Sequence, residues 1–247
     1  MIEKKPDEQV INGDSMESPG NPHGKQQASA APPRLKTIFV MGAYGSGTTA
    51  VTGALIRLGA RTYGGLSRTN DPRTPTSLED LAFKGLLHEL ISENDLSLWP
   101  GMADEKILAR LAEFRSSLVE NDRREADGRY PYAIKHPMAA LIIPQIVSVF
   151  GPRLIYVTRP LKEIEASRRR RRWPETMGGK GAARIYSAMI HAVIDLGVKA
   201  TWIHYSELRD DPDGVIALLA ELLDAPVRGE GIGLAREWLT SHFATYK

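Results

Sequence analysis

Apolar positions fall into two periodicities along this chain. Four short, nearly continuous runs, TIFVM (37–41), YAI (132–134), RLIYV (153–157) and ATWIHY (200–205), are rich in β-branched and aromatic residues. Runs of this length without polar alternation predict strands buried on both faces, as in a parallel sheet. Between them the spacing lengthens to three and four. SLEDLAFKGLLHELI (77–91) places Leu78, Leu81, Leu86, Leu87, Leu90 and Ile91 on one broad face, with Ser77 and Asp80 as a cap-like start. Residues 104–120, 138–149, 181–196 and 213–223 also predict helices, and Gly197 reads as a C-terminal stop. Strands alternating with helices predict a doubly wound α/β domain, with a mainly parallel sheet and helices on both faces.

The pattern begins at Leu35. Residues 1–34 hold Pro, Gly, Ser, Asn and Gln with few large apolar side chains. Burial there offsets too little ordering entropy, so a disordered tail is expected, followed by one domain over 35–247. Polar, proline-bearing stretches at 67–76 and 173–181 read as mobile loops beside a site.

Composition narrows the chemistry. With 247 residues, of which 42% are hydrophobic, the chain can build one ordinary core. Its net charge of +2 carries no global field toward nucleic acid or a membrane surface. It contains no cysteine, which excludes disulfides, thiolate metal sites and cysteine nucleophiles. No apolar run approaches the roughly 20 residues of a membrane span, and the first residues lack the core of a secretory signal. The expectation is a cytoplasmic protein.

The first apolar run opens into GAYGSGTT, Gly42 to Thr49, with the spacing G-x-x-x-x-G-x-[ST] of a phosphate-binding loop. Glycines allow successive backbone N–H groups to turn toward one anion, and the following helix adds its positive end. Ala43, Tyr44, Gly45, Ser46, Gly47, Thr48 and Thr49 are the candidate ligand-holding residues. A turn that merely packs strand against helix is the alternative. Thr48 stands where a nucleotide triphosphatase carries its lysine, which argues against ATP or GTP chemistry and against a kinase.

SGTT followed by a small-residue helix ending in Leu-Gly, SGTTAVTGALIRLGA (46–60), resembles the phosphosulfate loop of the sulfotransferases that use 3′-phosphoadenosine 5′-phosphosulfate (PAPS). Gly45 departs from that pattern, falling where the family has Lys or Arg. Three further stretches follow in the family's order. In LIYVTRPLKEIEAS, Arg159 ends a strand and Ser167 lies eight residues on, similar to the family's pair for the donor's 3′-phosphate. WIHYSELRDDP resembles the family's Tyr-Glu-x-Leu-x-x-Asp-Pro segment, and the resemblance places Tyr205 near the adenine, with Ser206 where an acid is usual. YAIKHP resembles the strand ending in lysine near the transferred group, implying Lys135 and His136 as catalytic candidates.

The resemblance covers roughly 37–223. It implies PAPS as donor, adenosine 3′,5′-bisphosphate as product, no metal, and an acceptor hydroxyl or amine of open class. It also implies that Lys135 replaces the cation absent at Gly45. The general base is His136 or a carboxylate such as Glu79. Adjacent residues of an extended segment point oppositely, so Lys135 and His136 are not expected to face the site together. Two other features stay open. The five arginines of SRRRRRW (167–173) wrap a helix, so at most one or two approach a ligand. PVRGEG (226–231) weakly resembles the family's C-terminal 3′-phosphate loop. The rival reading is a nucleotide-binding relative of this family that transfers little.

Overall fold

The computed structural model describes residues 35–69, 74–125 and 128–244. The tail expected over 1–34 lies outside them. Four strands, β1 (Thr37–Gly42), β4 (Tyr132–Lys135), β5 (Arg153–Thr158) and β6 (Thr201–His204), form one sheet in the order β4-β1-β5-β6. Every pairing in it is parallel. All six residues of β1 are buried, because β1 is flanked by strands at both edges and by helices on both faces.

The pleat sorts the strand residues into two cores. Phe39, Met41, Tyr132, Ile134, Leu154 and Tyr156 face α2 (Leu81–Leu90), α3 (Asp104–Glu125), α4 (Ile143–Phe150) and α6 (Gly179–Ile194). Their alternates Ile38, Val40, Ala133, Ile155, Val157 and Ile203 face α1 (Thr48–Leu58), α8 (Pro212–Leu223) and α9 (Gly231–Ala244). The doubly wound α/β architecture expected from the sequence is therefore present. Helix α9 was not anticipated. It lies against α1 where Gly53 allows close approach: a Cβ at Gly53 would stand 2.2 Å from the Trp238 ring, whose Nε1–H donates to the Ala50 carbonyl at 2.9 Å.

Two expectations fail at element ends. Residues 77–80 are not helical. Thr76–Asp80 is β3, antiparallel to β2 (Leu66–Arg68), with the Thr76 hydroxyl donating to the Ser67 carbonyl at 3.0 Å. Leu78 adopts φ 56, which no helix tolerates, and α2 starts only at Leu81, capped by Asp80 accepting from the Phe83 N–H at 2.9 Å. Burial raises the Asp80 carboxyl to about 6 against those amide bonds. The strand expected to reach Tyr205 ends at His204, which caps a short helix, α7 (Tyr205–Asp210). The helix expected over 138–149 is a 3-10 turn, Pro137–Ile142, running into α4. The sheet's carboxyl edge, α5 (Leu161–Arg171) and the β2–β3 hairpin together surround one cavity.

Candidate functional site

The cavity holds about 650 Å³ and is lined from all sides by the segments singled out in the sequence. Strand β1 delivers the chain to the glycine loop. Gly45 has φ 77 and Gly47 φ 105, so the loop reverses through conformations that side-chain-bearing residues adopt at a cost of roughly 1–2 kcal/mol. Gly47 is the N-cap of α1, and no side chain caps that helix. The first-turn N–H groups therefore have no helical carbonyl to bond, and the positive end of α1 opens beside Gly47, Thr48 and Thr49, which line the cavity. Tyr44 and Gly45 line it as well.

Ala43 and Ser46 do not line it. Ala43 packs with Ile164 and Ala182 beneath the loop. The Ser46 hydroxyl is buried beneath the loop with no hydrogen-bond partner among the described residues, while its N–H donates to the Ala43 carbonyl at 3.0 Å. A buried, unsatisfied hydroxyl at the base of a phosphate-type loop fits an occupant that the loop wraps.

At the end of β4, Lys135 and His136 both meet Glu79. The Lys135 ammonium donates to Glu79 Oε1 at 2.8 Å and to the Ser77 carbonyl at 3.1 Å. His136 Nε2 lies 3.9 Å from Glu79 Oε2. The expected opposition of the two side chains is overcome because β4 ends at Lys135 and His136 already begins the 3-10 turn. Glu79, placed by β3 rather than by a helix, is only 7% exposed. Burial pushes its carboxyl up; Lys135 beside it, with a smaller share from Lys84 at 3.5 Å, overrides this and holds it at about 2.

His136 is buried, and burial lowers its pKa to about 3 although Glu79 acts the other way. Its Nδ1 accepts the Met138 N–H at 3.2 Å, so the neutral ring carries its proton on Nε2. A ring held in that tautomer is already protonated at the nitrogen facing Glu79. The Thr49 hydroxyl donates to the same Ser77 carbonyl at 3.3 Å, so the hairpin joins the loop to Lys135.

On the opposite side, Arg159 leaves the end of β5. Its guanidinium donates to the Gly45 carbonyl at 3.1 Å and to Glu163 at 3.1 Å, and lies 3.8 Å over the Tyr205 ring. Ser167 is buried one α5 face further on, and a Cβ built at Gly45 would stand 3.9 Å from its hydroxyl. Glycine loop, Arg159, Ser167 and Tyr205 are thus neighbours, though the residues are more than 150 positions apart in the chain at the extremes (44 and 205).

Of the arginine run, Arg170 and Arg171 line the cavity, with Arg170 donating to the Ser167 hydroxyl at 3.4 Å. Arg168 and Arg169 turn instead to Glu165. Arg228 of PVRGEG is not part of the lining; its guanidinium stacks on Tyr130 at 4.3 Å and its N–H reaches the Leu58 carbonyl.

Sequence reasoning missed Lys84, Glu93, Trp173 and His242, all of which line the cavity. His242 arrives on the unanticipated α9, and burial lowers it to about 4, helped by Arg171. Lys84 lies on α2, and only the hairpin pairing brings it to Ser67, at 3.4 Å. Neither position carries a motif. Among the described residues no cluster of His, Asp and Glu could hold a metal ion, and no helix is long and apolar enough to cross a membrane.

No protein-family profile matches the chain, and no curated protein matches it by sequence. Solved structures do. Sulfotransferase STF1 from Mycobacterium tuberculosis H37Rv superposes with a TM-score of 0.52 at 14% identity, over 82% of this chain and 71% of that one. The chain has a sulfotransferase fold. The sulfotransferase domain of the Synechococcus PCC 7002 olefin synthase (TM-score 0.49, 18% identity, 82% of this chain and 78% of that one) lies further off. So does STF9 from Mycobacterium avium (TM-score 0.48, 19% identity, 84% and 68%). Within this sulfotransferase fold the cavity occupies the carboxyl ends of the parallel strands, where open α/β sheets take their ligands.

Proposed function

We propose that the protein transfers a sulfuryl group from PAPS to a hydroxyl or amine acceptor. One observation carries this reading: the glycine loop, the Arg159–Ser167 pair and the Lys135–Glu79 pair converge on a single cavity in a sulfotransferase fold. In it, the N–H groups around Gly47, Thr48 and Thr49 hold the 5′-phosphosulfate, and Arg159 and Ser167 hold the 3′-phosphate. Tyr205, already faced by Arg159, sits beside the nucleoside.

Lys135 takes the role left open by Gly45. It stabilises charge on the transferred group and on the bridging oxygen, which the leaving adenosine 3′,5′-bisphosphate keeps with its electron pair. The acceptor oxygen or nitrogen forms the new bond to sulfur, and its proton goes to a base. Glu79 fits that task better than His136. It is ionised, it lines the cavity, and any shift of Lys135 toward the donor raises its basicity. His136 acts as a positioning residue that fixes the end of β4.

A second reading has its own observation. Gly45 supplies no cation, and Lys135 is bound to Glu79, so a protein that holds the nucleotide and transfers little also fits. Thr48 in place of the triphosphatase lysine disfavours a kinase. Calorimetry with adenosine 3′,5′-bisphosphate decides. Affinity in the micromolar range is expected; no binding at high micromolar ligand overturns the sulfotransferase reading. Binding without turnover of labelled PAPS across acceptor classes leaves the nucleotide-holding reading in place.

A further inference from the structure

We infer, building on the reading above, that the acceptor is a polyanionic chain that crosses the mouth of the cavity along the β2–β3 hairpin and the end of α5. Charge distribution is the first observation. The whole chain carries a net charge of only +2, yet six cationic side chains line this one cavity: Arg68, Lys84, Lys135, Arg159, Arg170 and Arg171. Only two carboxylates, Glu79 and Glu93, line it with them, and Glu79 is matched by Lys135.

These cations divide into two groups by their contacts. Arg159 reaches Gly45, Arg170 reaches Ser167, and Lys135 lies beside Thr49 through the shared Ser77 carbonyl; these surround the glycine loop, where the donor belongs. The others lie along the hairpin. Arg68 is an exposed residue of β2 itself, Lys84 donates to Ser67 next to it, and Arg171 reaches Thr74 at 3.5 Å while stacking over Trp173 at 4.6 Å. The hydroxyls of Ser67, Thr69 and Thr74 line the same wall. A donor held at the loop leaves this second group unneutralised, and charge concentrated on one wall selects a ligand of opposite sign.

The second observation gives the ligand its length. The basic wall does not stop at the cavity. Arg171 is followed by Arg172, exposed at the C-cap of α5 with φ 56, and Arg170 is exposed in the turn before it. A track of guanidinium groups thus leads from the hairpin wall onto the outer surface. A small anion has no use for charges outside the cavity, whereas a chain of repeated anionic groups contacts both. The arginine run, which donor binding alone explains only through Arg170, is accounted for in this way.

The test uses the full chain, saturated with adenosine 3′,5′-bisphosphate, and titrates it with dextran sulfate at low and moderate salt, with uncharged dextran as control. Dextran sulfate binding that weakens steeply with salt is expected, with no binding of uncharged dextran. The double variant Arg68→Gln/Arg172→Gln is expected to bind the polyanion at least about 10-fold more weakly and with a shallower salt slope, and to bind the bisphosphate unchanged. Arg123→Gln/Arg124→Gln, on α3 and outside the cavity lining, should leave polyanion affinity within about 2-fold. Absence of polyanion binding at low salt overturns the inference, as do equal losses in the two double variants. Failure of the bisphosphate itself to bind overturns the donor reading instead, and the polyanion titration is then read without it.

Discussion

Replacing Lys135 by Met isolates the contact on which the proposed chemistry turns. Its ammonium lies 2.8 Å from Glu79 Oε1, with the two side chains 4% and 7% exposed. Such a pair is screened little by solvent. Deleting one partner leaves a buried carboxylate uncompensated, which costs about 3–5 kcal/mol. Lys84, 3.5 Å from Glu79 and 33% exposed, remains and softens the loss, so the low end, about 3 kcal/mol, is expected. For a chain of this size that lowers Tm by about 6–12 °C.

The pH dependence sharpens the test. In the unaltered protein the Glu79 pKa is depressed to about 2 from 4.5, so its stabilisation is complete above 4.5 and is lost as pH falls toward 2. In Lys135→Met burial dominates and the folded pKa rises above the unfolded one. The deficit is then largest at neutral pH and shrinks as pH falls through that raised value. Thermal unfolding near neutral pH and near pH 5 reads both effects, and Lys135→Met/Glu79→Gln should recover most of the stability. A Tm within about 2 °C of the unaltered protein, or a deficit equal at both pH values, would refute the pairing argument.

Three other outcomes follow from the same geometry. Arg159→Ala should weaken adenosine 3′,5′-bisphosphate by roughly 10–100-fold, and the 5′-monophosphate by much less, in calorimetric titration; equal losses would show that Arg159 does not hold the 3′-phosphate. His136 is depressed to about 3 from 6.5, so the unfolded chain takes up its proton first and stability declines as pH drops from 6.5 toward 3, by up to about 1.4 kcal/mol per pH unit. His136→Asn keeps an acceptor for the Met138 N–H and should flatten this slope in urea unfolding; an unchanged slope would assign it to other groups. Gly53→Ala, favourable by about 1 kcal/mol on helix propensity alone, should instead destabilise by roughly 1–3 kcal/mol because its Cβ meets Trp238 at 2.2 Å, and a raised Tm would contradict the packing of α9 on α1.

Local chemistry was legible in the sequence where a single segment contains its own cause. Phe39, Ile155 and their neighbours are apolar on both strand faces, so the runs around them announce a parallel sheet without knowledge of its partners. GAYGSGTT needs positive φ at Gly45 and Gly47, and the glycines stand at those positions. Arg159 and Ser167 share one strand–helix turn, so their spacing alone brings them to one side of the loop.

Tertiary structure alone decided the rest, because it depends on contacts between distant segments. SLED reads as the start of a helix by its own spacing; pairing with Leu66–Arg68 turns it into a strand and points Glu79 at Lys135, 56 residues away. That pairing sets the charge state of Glu79, and the hydrogen bond from Met138 sets the proton position on His136. Whether Lys135 and His136 share a site could not be read from their adjacency, since the end of β4 falls between them. The sequence by itself determined the sheet and the anion-shaped loop, through periodicity and glycine. Which carboxylate, cation and arginine surround that loop was left to the fold, because burial and pairing are properties of the packed chain and not of any segment.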